Sequence, residues 1–65
     1  MWIRTQGGYL LNLDRTDFIR TEGDLTLAYT GGTAHIIAEG DITGDVLGAV
    51  RAGTKIMEVL VDDRK

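Results

Sequence analysis

Residues 29–45 read "YTGGTAHIIAEGDITGD". This stretch holds four of the nine glycines, the single histidine and no lysine or arginine. Its glycines either cradle a phosphate, border a reactive site or turn the chain between strands. A phosphate loop of the G-x-x-x-x-G-K-[ST] type needs a lysine and a following helix, and the stretch has no lysine. "DITGD" lacks the ligand spacing of a calcium-binding EF-hand loop. The third reading gains from the residues upstream.

Gly7-Gly8, Arg15-Thr16, Gly23-Asp24, Gly31-Gly32 and Glu39-Gly40 recur every eight residues. Gly-Gly and Gly-Asp between apolar runs are hairpin signals, because primed two-residue turns need positive φ. The intervals leave strands of about six residues, a common strand length. The expected fold is α+β. A small antiparallel meander of four or five strands (2–6, 9–14, 17–22, 25–30 and 33–38) is followed by one C-terminal helix packed on the sheet. Val46, Ala49, Val50, Gly53, Met57 and Leu60 fall at helical spacing. The glycines weaken the start, so the helix is expected over 53–61, beginning anywhere from 45 to 54. The polar end is Asp62, Asp63, Arg64 and Lys65.

Alternation then assigns faces. One face collects Trp2, Leu13, Phe18, Tyr29 and Ala34, then Arg4, Leu11, Arg20, Leu27 and Ile36, then Gln6, Tyr9, Glu22, Leu25 and Ala38. It holds all four aromatic residues and is expected to be the core. The other face carries Ile3, Asn12, Ile19, Ala28 and His35, then Thr5, Leu10, Thr21, Thr26 and Ile37. One helix cannot cover two faces. Ile3, Leu10, Ile19, Ala28, His35 and Ile37 are therefore expected to form an oligomer interface.

Sixty-five residues allow one domain, spanning 1–65. Such a chain buries only about 60 % of its unfolded surface and usually needs help to be stable. There is no cysteine, so neither disulfides nor thiolate metal sites are available. Self-association, most simply as a dimer, is the remaining aid. The net charge of −3 argues against long nucleic acid, whose capture rests on phosphate neutralisation. No apolar run has the length of a membrane span or follows a basic start, so a cytoplasmic protein without a membrane partner is expected.

The opening "MWIRTQGGYLLNLD" and closing "LGAVRAGTKIMEVL" resemble a family of short, largely uncharacterised proteins of Gram-positive bacteria and their phages. Members begin W-I-R-[TS]-Q, continue L-[VL]-N and end in a segment like L-G-x-Y-x-[ST]-x-x-x-A-x-x-V-L. Trp2 to Gln6, Leu10 to Asn12, Leu47, Gly48, Val59 and Leu60 fit that pattern. Val50 stands where a tyrosine is usual, and Ala52 and Gly53 where helix-start residues are usual. The resemblance implies a small sheet-plus-helix protein of phage origin; a binding function would then make it a phage-type accessory or anti-defence protein. It carries over no catalytic motif.

His35 is the single histidine, but a general base needs a nucleophile or an orienting carboxylate beside it. Asp41 and Asp45 read as a turn and a helix cap rather than metal ligands. No catalytic residue, metal or cofactor is expected. Arg4 and Arg20 project from the aromatic face. They either snorkel to solvent, pair with Glu22, Glu58 or Asp62, or form an anion pocket with Trp2 and Tyr9 as stacking surfaces and Gln6 as a hydrogen-bonding partner. The expected function is thus a non-enzymatic, homo-oligomeric binding protein for a nucleotide-like anion or a host protein. The alternative is a structural or assembly module with no small ligand.

Overall fold

A computed structural model describes residues 1–59. Its strands are β1 (Trp2–Arg4), β2 (Leu10–Asn12), β3 (Phe18–Glu22), β4 (Leu25–Thr30), β5 (Thr33–Glu39) and β6 (Ile56–Glu58). One helix, α1 (Thr43–Arg51), lies between β5 and β6, and a 3-10 turn spans Leu13–Arg15. The strands form two three-stranded sheets of order β2-β1-β6 and β3-β4-β5. The class is α+β. The second sheet is an antiparallel meander, whereas the first is mixed because β6 runs parallel to β1.

Of the four glycines in residues 29–45, Gly31 and Gly32 form a turn, Gly40 sits in a bend, and Gly44 lies within α1. Gly31 and Gly32, at φ 56° and 86°, connect Thr30 to its partner Thr33. Positive φ at both central residues is the type I′ geometry whose twist matches the flanking strands. Across β3 and β4 the register runs from Phe18 opposite Tyr29 to Glu22 opposite Leu25, as the eight-residue beat predicts. Between β4 and β5 that beat holds only from Thr30–Thr33 to Leu27–Ile36. Thr26 then faces Ala38, leaving Ile37 as the extra residue of a bulge. Ile37 and Ala38 are consequently both buried, which simple alternation cannot give. The Gln6 N–H donates to the Ile37 carbonyl at 2.8 Å and satisfies it.

The first hairpin differs from expectation by one residue. Its loop is Gln6-Gly7-Gly8, with the Gly8 N–H donating to Thr5 O and the Thr5 N–H to Tyr9 O. Gly8 sits at φ 93°, as the last residue of a three-residue loop should. Ile3 therefore faces Leu11, and Arg4 faces Leu10. A one-residue slip exchanges the faces of β2, and Leu10 is left exposed. The expected pairing of the second strand with the third does not form. Asn12 Oδ1 accepts from the Asp14 N–H at 3.0 Å and starts the 3-10 turn, which carries the chain to the other sheet.

The two faces are exchanged relative to expectation. The core is Ile3, Ala28, Ile37, Ala38 and Val46, with Thr5 and Thr26 also buried. The aromatic face looks outward: Trp2, Tyr9 and Phe18 are each nearly half exposed. Two short sheets under a single helix enclose little volume, which small and β-branched side chains fill. Leu27 is the one large outward-pattern residue that is buried. Ile3, Ala28 and Ile37, expected at an oligomer interface, are instead completely enclosed within the chain. Ile19 packs half-buried against the same core, and His35 lies half-buried opposite Ala28.

The helix also lies earlier than expected, over 43–51 rather than 53–61. Among the described residues of the predicted stripe, only Val46, Ala49 and Val50 are helical. Ile56, Met57 and Glu58 instead pair with Trp2, Ile3 and Arg4. Gly53, at φ 73°, ends the helix region, and the short apolar run that follows fits a strand as well as a helical turn. Leu60 and the polar end, Asp62 to Lys65, lie outside the described residues. No described helix is long and apolar enough to cross a membrane.

Asp41 serves the start of α1. Its Oδ1 accepts from the Thr43 N–H at 3.0 Å, from Thr43 Oγ1 at 2.6 Å and from Thr21 Oγ1 at 2.8 Å. These bonds, those from Thr43 first, hold its carboxyl below the ordinary aspartate value. A lowered folded value means stability that is present above the unfolded pKa, about 3.9, and lost as pH falls through the folded one. Asp41→Ala should lower the melting temperature at neutral pH. That deficit should shrink below about pH 4, as the wild-type carboxylate is protonated. Thermal melts across pH that kept a constant deficit would contradict the electrostatic part of this role.

Candidate interaction surface

The five residues expected to form an anion pocket are divided between the two sheets. Trp2 and Arg4 stand on the outer side of β1, where Arg4 Nη1 lies 3.3 Å from Glu58 Oε2 of the neighbouring β6. Arg20 stands on the outer side of β3, its Nε 2.6 Å from Glu22 Oε2. Each arginine thus has a glutamate of its own sheet. Both pairs are solvent-exposed, and such pairs contribute little to stability.

Gln6 and Tyr9 hold the fold together. The Gln6 Oε1 accepts the Glu39 N–H at 2.7 Å, and the Tyr9 hydroxyl donates to Ile36 O at 3.2 Å. Together with the Gln6 main chain, they fasten the first hairpin to the bulged end of β5. An open depression of about 730 Å³ includes Gln6, Tyr9, His35, Ile36 and Glu39, but neither arginine and not Trp2.

The outer face of the second sheet has its own polar cluster. The Tyr29 hydroxyl donates to Glu22 Oε2, the oxygen that also faces Arg20. The phenol and then the guanidinium lower the pKa of the Glu22 carboxyl, while that carboxylate raises the pKa of the Tyr29 hydroxyl. Arg20 lies 5.5 Å from the centre of the Tyr29 ring, and Phe18 stacks on that ring at 4.7 Å with planes 16° apart. The i, i+2 spacing of Arg20 and Glu22 was a signal for their pairing. The part of Tyr29 follows only from the β3–β4 register.

A second depression, of about 300 Å³, runs between β3 and α1. Its walls include Leu13, Phe18 and Ile19 on one side and Val46, Leu47 and Val50 on the other. Val46 and Val50 belong to the helical stripe read from the sequence, whereas Leu47 lies outside it. Phe18, Leu47 and Val50 are each about half exposed. Further exposed apolar side chains are Trp2, Leu10 and Ile56 on the first sheet and Ile36 on the second.

Among the described residues, no three of His, Cys, Asp and Glu stand together as a metal-binding group. No family model, curated protein or solved structure matches this chain.

Proposed function

We propose that this protein works by binding rather than by turnover, as a self-associating module whose first partner is a second copy of itself. The supporting observation is its exposed apolar surface. Trp2, Leu10, Phe18, Ile36, Leu47, Val50 and Ile56 keep between 45 and 64 % of their area in water. Single exposed apolar residues are ordinary, but so many on so short a chain favour a protein contact. A second copy also supplies the burial that a chain of this size lacks.

Capture of a nucleotide-like anion has less support. The two arginines belong to different sheets, and each already has a glutamate partner on its own sheet. Sedimentation equilibrium tests the proposal. The expected species at micromolar concentration has twice the 7.1 kDa chain mass. A folded species of single-chain mass throughout that range would refute self-association.

A further inference from the structure

We infer that two copies join through the open edge of β3, antiparallel, with Thr21 on the two-fold axis. The inference rests on the proposed self-association and names its surface. Among the described residues, the sheet order leaves β3 bonded on one side only, to β4. The two-residue turn at Gly23-Asp24 makes Glu22–Leu25, Arg20–Leu27 and Phe18–Tyr29 the hydrogen-bonded pairs of that hairpin. The main-chain groups of Ile19 and Thr21 therefore point to the unpaired edge, where a row of unused donors and acceptors invites another strand.

Charge selects the register. Arg20 and Glu22 share the outer face of β3 and are separated by one residue. With the axis at Thr21, Arg20 of each copy lies opposite Glu22 of the other. The two Thr21 residues then exchange N–H and C=O bonds. With the axis at Arg20, like charges would meet instead, which is unfavourable. Within one chain, Glu22 engages only Nε of the guanidinium, and among the described residues no other carboxylate holds Nη1 or Nη2, which can take the other copy's carboxylate. The contact is isologous, and every charge pair occurs twice. Joining the edges produces one six-stranded antiparallel sheet and removes an edge open to other chains.

Chains carrying R20E and chains carrying E22R test this by sedimentation equilibrium, with circular dichroism to verify folding. The Arg20 side chain is 60 % exposed and that of Glu22 37 % exposed, and neither belongs to the core, so either variant should keep the fold. Each variant alone should dimerise roughly tenfold to a hundredfold more weakly than wild type, because two like-charged pairs replace two opposite ones. Mixed in equal amounts, the two variants should form a heterodimer, since acidic and basic edges then face each other. Raising salt should weaken both the wild-type dimer and the mixed one. Wild-type dimers with unaffected variants, or no recovery on mixing, would overturn the β3 edge while leaving self-association intact. A wild-type monomer would overturn both.

Discussion

Ile3→Ala should abolish cooperative folding of the isolated chain. Ile3 is fully enclosed, between Leu11 of β2 and Met57 of β6, and packs with Ala28, Ile37, Ala38 and Val46. Removing its outer carbons costs the lost burial and leaves a cavity, together about 2–5 kcal/mol. A single core of this size rarely supplies more than about 3–5 kcal/mol, so the substitution consumes most or all of the stability. Ile36→Ala is the matched control. That side chain is 51 % exposed, and the change should stay within about 1 kcal/mol, as surface changes usually do. Thermal unfolding followed by circular dichroism separates the two. Equal transitions in both variants would mean that the core faces the other way.

Thr26→Val should be the most damaging change that leaves side-chain shape intact. Thr26 is completely buried. Its hydroxyl donates to Gly40 O at 2.6 Å and accepts the Ile42 N–H at 3.0 Å, where β5 hands the chain to α1. Valine fills the same space but leaves a carbonyl and an amide without their partner. A buried polar group stranded in this way costs about 1–3 kcal/mol. Read from the sequence, Thr26 lies on the face opposite the expected core. The bulge and the exchanged faces reverse that expectation. The urea midpoint should fall, and the Ile42 amide should exchange faster than in wild type. An unchanged midpoint with a still-protected Ile42 amide would remove this role from the hydroxyl.

What was legible in the sequence follows local chemistry. Gly23-Asp24 and Gly31-Gly32 announce two-residue turns, and the β3–β4 register follows from them residue by residue. Gly7-Gly8 fits a two- or a three-residue loop equally well, and only the second aligns Ile3 with Leu11. The bulge at Ile37 depends on a partner far away in sequence, the Gln6 N–H. Helical spacing from Val46 onward is real, but it continues past the glycines into a run that pairs with β1 as a strand. Aromatic content misled the choice of core, since a thin core takes isoleucine and alanine more readily than tryptophan. At the candidate site, Arg20 and Glu22 were visible as near neighbours. The Arg4–Glu58 pair was named among the possible partners, but its parallel geometry requires the helix to end before Ile56.

The parallel alignment of β1 and β6 has a mechanical consequence. Trp2 starts one strand and Glu58 finishes the other, so the two ends of the described chain leave this strand pair in opposite directions. Tension applied there runs along the strands instead of across them. The hydrogen bonds of the pair are then loaded together, as in a lap joint, and cannot be opened one after another like a zip.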